Sequence, residues 1–279
     1  MPGATAIAAA VEDAVAQAAV TLRPDVLSAL RRAYDSEPSA RGRAVLGQLL
    51  ENAEIAARDR VPLCQDTGTV WVWVELGADE CAPVGLQAEI DRAVARAYSD
   101  NGLRMSVVRD ALFDRGNTGD NTPAFLDVTL RRGSGATVHV MLKGGGSDNA
   151  SVVAMLDPSA GADGVVEIVE RTVEAKASGA CPPLIVGVGV GGTFDSVAKL
   201  AKRALLLPLD ERSLDPRVRA FEERLLGVVN ATGVGPAGLG GVTTALGVRV
   251  ISAPCHIAAL PAAVNLGCCA MRSVTLEVV

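Results

Sequence analysis

The sequence predicts an α+β protein with mixed or antiparallel sheets flanked by helices and a helical N-terminal part. Three observations carry this expectation. Residues about 5–20, 23–35 and 40–58 place apolar side chains at helical spacing, with Pro24 where a helix can begin. The stretches TVWVWVEL, AFLDVTLRR and ATVHVMLK alternate with period two, as half-buried strands do. Helical and strand patterns then intermingle, but a short glycine turn joins two strands directly, which separates the pattern from a doubly wound chain.

The whole chain, residues 1–279, reads as one domain, of which about 1–60 form the helical part. TVWVWVEL is its first strand. PVGLQAEIDRAVARAYSD is an amphipathic helix that stops at Asn101-Gly102, a pair suited to a left-handed cap. A polar loop from residue 101 to about 123 follows, holding Arg104, Arg109, Arg115 and NTGDNTP; a loop so long in a compact domain is expected to be functional. AFLDVTLRR and ATVHVMLK, joined by Gly133-Ser134-Gly135, are expected to pair as a hairpin. Beyond KGGGSDN, residues 164–177, 193–205 and 215–229 are expected to be helices, and 184–191, 242–252 and 273–279 strands.

Composition bounds the function. With 279 residues, 49% hydrophobic and 21% charged, the chain can bury a large core. Aromatics at 3% give no stacking platform for single-stranded nucleic acid, and a net charge of −6 gives no reason to bind a phosphate backbone. An anionic ligand must therefore be held locally. The N-terminal run carries Glu12 and Asp13 and no basic leader, so it reads as an amphipathic helix, and no run is expected to cross a bilayer. Six cysteines without secretory context point to a reducing compartment, by default the cytoplasm, and to metal or redox roles.

The stretch VPLCQDTGT gathers the most chemistry. Cys64 offers a soft thiolate, and Gln65, Asp66 and Thr67 add an amide, a carboxylate and a hydroxyl before Gly68 closes the turn. A plain Asp-Thr-Gly turn beside a buried thiol is the bland alternative. Lys143-Gly144-Gly145-Gly146-Ser147-Asp148-Asn149 ends a strand and can aim several N–H groups at one anion, although triple glycine also marks tight turns. Gly187, Gly189 and Gly192 match G-x-G-x-x-G, with Asp210 downstream, as a dinucleotide site would. Against that reading, Pro208 interrupts ALLLPLD, the stretch that should be the second parallel strand. Cys181 sits in GACPP, where two prolines hold the backbone extended. Cys268 and Cys269 lie in VNLGCCAMR, beyond His256 of APCHIAALP, and Cys81 follows an acidic turn as a surface or packing residue. Spacing alone assigns no metal site, because the chain has no local C-x-x-C pair.

CQDTGT, LR followed by NTGDNTP, KGGGSDN, ACPP, GVGVGGT and HIAALPAAVNLGC occur in one order, over about residues 40–272. In that order they resemble the class I, iron–sulfur fumarate hydratases and their L(+)-tartrate dehydratase relatives, and the chain looks like the α subunit, or N-terminal domain, of that hydro-lyase family. The resemblance implies a 4Fe-4S cluster held by Cys64, Cys181 and Cys268, with one iron open, Cys255 and Cys269 being spares. It implies Asp66 as acid/base or water-positioning group and His256 as its catalytic companion. Gln65, Thr67, Arg104, Lys143, Gly145 and Gly146 would bind a dicarboxylate. Residues 61–279 would thus be the cluster- and substrate-binding part. Taken singly, Arg104 could be a solvated charge and His256 a satisfied core histidine. The family's second domain is missing from the chain, which implies a separate β subunit in an α2β2-type assembly. Lys143 in KGGGSDN resembles the fumarate enzymes, so interconversion of fumarate and L-malate, a tricarboxylic acid cycle step, is the expected reaction. L(+)-tartrate and mesaconate are the alternative substrates.

Overall fold

A computed structural model describes residues 2–79, 81 and 83–279. In chain order its elements are α1 (Ala4–Val20), α2 (Pro24–Ser36), α3 (Ala40–Asp59), β1 (Thr69–Gly77), α4 (Leu86–Asp100), β2 (Phe125–Arg131), β3 (Ala136–Lys143) and α5 (Gly145–Asn149). There follow β4 (Val152–Leu156), α6 (Gly161–Lys176), β5 (Leu184–Gly192), α7 (Phe194–Ala204), α8 (Pro216–Ala231), β6 (Ala245–Cys255), β7 (Leu260–Gly267) and β8 (Arg272–Val278). Two mixed sheets flanked by helices, after a helical N-terminal region, make the protein α+β as expected. The chain divides into two compact units: Met1–Arg23 with Ala53–Gly145 and Arg272–Val279, and Pro24–Asn52 with Gly146–Met271.

The first unit is built on the sheet β2-β1-β3-β8, with β1 parallel to β2 and antiparallel to β3, and β8 antiparallel to β3. The alternation of TVWVWVEL sends Val70, Val72, Val74 and Leu76 into one buried core with Ile7, Val11 and Val15 of α1 and Ile90 and Val94 of α4. Each fully buried side chain of this kind contributes about 1.5–3 kcal/mol. The expected hairpin is not formed, because β1 lies between β2 and β3. The turn after β2 instead passes over the end of β1, where Gly77 N donates to Gly135 O at 2.8 Å and Ala78 N to Arg131 O at 2.7 Å. Period-two alternation specifies that these segments are strands but leaves their neighbours in the sheet open.

The second unit is built on the sheet β4-β7-β5-β6, in which β5 is parallel to β6 and antiparallel to β7. Val165, Val169 and Val173 of α6 and Leu225 and Val229 of α8 bury with Leu184, Val186 and Val188 of β5. On the opposite face of β5 the glycines of G-x-G-x-x-G meet α7. A Cβ added at Gly187 would stand 2.2 Å from Ala201 O, and one at Gly189 would stand 2.5 Å from Val197 O. Those glycines let helix and strand touch backbone to backbone, which accounts for the pattern without a nucleotide. Strands β4 and β7 carry no readable signal: β4 is short, and β7 is continuously buried and opens on Leu260-Pro261.

The stretch Ala4–Ser36 is long and apolar enough to cross a membrane by length and composition, contrary to the expectation that no run would be. In the structure it is two helices, and the apolar side of α1 lies in the core of the first unit.

Candidate active site

Leu63 N donates to Ala19 O at 2.9 Å and fixes the approach to the CQDTGT turn within the first unit. Asp66 then folds over its own backbone: Oδ1 accepts Gly68 N at 3.0 Å, while Oδ2 accepts Gly145 N at 2.8 Å across 79 positions of sequence. One carboxylate thus joins the two glycine turns singled out in the sequence. Gly68 is required there twice over, by its φ of 83° and because a Cβ would stand 2.7 Å from the Lys143 backbone.

Three further groups brace the turn. Thr67 is buried, and its hydroxyl donates to Arg104 O at 2.6 Å, which ties the arginine loop to the turn. Tyr98 of α4 aims its hydroxyl at Thr67 O and Gly68 O, at 3.0 and 2.9 Å. Burial pushes this phenol up to about 12, against the opposing charge of Arg272. Asn121, fully buried in the left-handed region at φ 61°, donates to Gly68 O at 3.1 Å and accepts Ser106 N at 2.6 Å. The loop 101–123 is therefore an ordered structure wrapped on the turn, and its polar residues hold its own backbone.

Between turn and loop lies a cavity of about 460 Å³ lined by Gln65, Asp66, Gly68, Arg104, Lys143 and Gly145, among others. Arg104 is exposed at its mouth and Lys143 is buried in its wall. Two cations, an amide and an immobilised carboxylate around a space of that size suit a small dianion. Cys64, half-buried and next in sequence to the lining residue Gln65, directs its thiol to Gln65 Oε1 at 3.4 Å. Of the residues expected from sequence, the structure thus brings Cys64, Gln65, Asp66, Thr67, Arg104, Lys143 and Gly145 together. Tyr98 and Asn121 are supports that sequence reading did not find.

Gly146, Cys181, His256 and Cys268 belong to the second unit. Cys181 is exposed in a left-handed conformation, φ 55°, ahead of the prolines, and Cys269 N donates to its carbonyl at 3.0 Å, so the Cys268 loop is fastened beside it. A Cβ at Gly146 would stand 3.0 Å from Gly179 O, close to the same mount. His256 is exposed in the turn after β6, where its Nδ1 accepts Ala258 N at 3.1 Å; this bond leaves the proton of a neutral imidazole on Nε2. A larger cavity of the second unit, about 600 Å³, is lined mainly by apolar residues such as Val165, Val190, Phe221 and Val250, with Asp215 and Arg217 as a charged pair. The smaller polar cavity is where the chemistry gathers.

The cysteine thiols are soft donors of the kind an iron–sulfur group takes. All six cysteines are unbridged, and Cys64, Cys181 and Cys268 each sit on a turn or strand end with some exposure. Among the described residues no three of His, Cys, Asp or Glu converge as the ligands of a single ion would.

The chain belongs to the fumarate hydratase family, whose description, Fumarate hydratase (Fumerase), matches residues 8–277. It is 37% identical over 262 residues to a Methanocaldococcus jannaschii protein provisionally named L(+)-tartrate dehydratase subunit alpha, covering 92% of each chain. It is 34% identical over 258 residues to the L(+)-tartrate dehydratase subunit alpha of Escherichia coli strain K12, covering 91% of this chain and 84% of that one.

Proposed function

We propose that this chain is the α subunit of an iron–sulfur hydro-lyase that interconverts fumarate and L-malate, working with a β subunit in an α2β2-type cytoplasmic assembly. The observation that carries the reading is the pocket in which Asp66, pinned by the N–H groups of Gly68 and Gly145, faces Arg104, Lys143 and Gln65. Cys64, Cys181 and Cys268 would hold the cluster. Bound there, it would supply an open Lewis acid for the departing hydroxyl.

The chain's own residues do the rest. Arg104 and Lys143 neutralise the two carboxylates and so stabilise the charge that builds beside the carbon losing its proton. Gln65 hydrogen-bonds the same ligand. Asp66 accepts or orients a proton at a fixed position, since two amide bonds leave it little freedom to turn. His256 presents Nε2–H, a donor suited to a carboxylate or hydroxyl oxygen. Gly146 would add a backbone donor, and Thr67 acts by holding Arg104 in place.

Lys143 favours fumarate. A second reading, L(+)-tartrate, is favoured by the names of the relatives at 34–37% identity. Anaerobic reconstitution with a β subunit, followed by kcat/KM for fumarate, L(+)-tartrate and mesaconate, decides between them. Fumarate should lead by at least tenfold. A lead for tartrate would reassign the substrate, and no turnover with any of the three would remove the hydro-lyase reading.

A further inference from the structure

Arg272 opens β8 and is among the most deeply buried side chains of the protein, 1% exposed. Its Nε and Nη1 are buried with no hydrogen-bond partner among the described residues. The second unit shows how a buried arginine is normally accommodated: Arg249 meets Glu222 at 2.9 Å and donates to the carbonyls of Pro208 and Glu211. Removing a guanidinium from water without such partners is unfavourable, so a stabilising role does not explain Arg272. Its surroundings do. The point where a side chain at Gly144 would begin lies 3.6 Å from Arg272 Nη2 and 3.1 Å from Asp66 Oδ2. The positive charge also reaches Tyr98, whose hydroxyl holds the Thr67 and Gly68 carbonyls. Register fixes the placement, because Arg272 pairs with Leu142, one residue before Lys143.

We propose that Arg272 is a positioning residue of the pocket. From behind the bare backbone of Gly144 its charge holds the Asp66 carboxylate on Gly145 N–H and adds positive potential to the wall that receives a dianion. Gly144 is part of the device, since any side chain there would occupy the gap between carboxylate and guanidinium. The role rests on the proposed hydro-lyase site, but its first test does not need turnover.

In the chain without substrate, hydrogen exchange of the Gly145 amide reports the bond from Gly145 N to Asp66 Oδ2. Arg272→Gln should speed that exchange about tenfold at unchanged melting temperature, whereas Arg115→Gln, on the exposed loop, should not alter it. In the reconstituted assembly, Arg272→Gln should lower kcat per loaded cluster about 10- to 100-fold with KM for the dicarboxylate within about threefold, and Arg272→Lys should recover part of the loss. Gly144→Ala should lower kcat in the same way. Unchanged Gly145 exchange in folded Arg272→Gln would overturn the proposal. So would a raised KM at full kcat, which would make Arg272 a substrate ligand, or failure of both Gln and Lys variants to fold, which would make it structural. An assembly without hydro-lyase activity, but with Gly145 exchange dependent on Arg272, would remove the reaction while leaving the positioning role.

Discussion

Lys143-Gly144-Gly145 and Gly187-Val188-Gly189 are both glycine-rich segments of a strand or its end with a helix close after, yet they are used differently. In the first, the absent side chains admit a carboxylate: Asp66 takes Gly145 N–H at 2.8 Å, and Lys143 and Arg104 share the same cavity. In the second, the absent side chains admit a helix, whose carbonyls at Val197 and Ala201 fill the space where Cβ atoms would stand. The comparison teaches that glycine spacing alone does not distinguish a ligand cradle from a packing seam. What distinguishes them is whether charged groups from distant parts of the chain converge on the backbone that has been exposed.

Substitutions can break that contrast. The largest effect is expected at Asp66, where Asn should lower kcat about 10²- to 10⁴-fold with iron and sulfide content retained. A variant that keeps full turnover would place the acid/base group elsewhere. Gly187→Ala should instead cost about 1–3 kcal/mol of stability, read as a lowered melting temperature, with kcat of the remaining folded enzyme unaltered. Finding the reverse, normal stability and lost turnover, would move the chemistry to α7.

A smaller effect is expected at Tyr98, where Phe should cost about 1 kcal/mol through the lost bond to the Thr67 and Gly68 carbonyls. The phenol also gives a pH signature. Its folded value of about 12 lies above the ordinary value near 10, so the unfolded chain loses its proton first. The stability this group lends is complete below pH about 10 and is lost as pH rises toward about 12. Urea midpoints between those values should fall more steeply for the wild type than for Tyr98→Phe; parallel curves would mean the hydroxyl is not held as described. The smallest expected effect is none: NADH should give no saturable binding, and binding abolished by Gly187→Ala would restore the nucleotide reading.

Much of this was legible in the sequence. The three N-terminal helices, the strand TVWVWVEL and the helix ending at Asp100, just before Gly102, were set by periodicity and a positive-φ glycine, which are local signals. Strand neighbours were not legible, because pairing β1 between β2 and β3 depends on burial across the sheet. Strand β7 was hidden for the same reason, being buried almost throughout rather than alternating. At the site, side chains on the two motifs could be named from sequence. Their supports could not: Tyr98 looks like one more apolar residue of an amphipathic helix, Asn121 like a turn residue and Arg272 like a surface charge. Their roles arise from contacts spanning between 15 and 53 positions for Asn121 and about 30 for Tyr98.

On the proposed function, this chain supplies one half of a hydro-lyase site and a β subunit the other half. Ultraviolet absorbance of fumarate, followed anaerobically with cluster-loaded α chain, with β subunit and with the two mixed, tests it directly. Negligible conversion by either subunit and fumarate–malate interconversion on mixing are expected, because a dianion held on one side by Arg104 and Lys143 stays exposed to water until a second wall closes. Substantial turnover by rigorously purified α chain alone would contradict it.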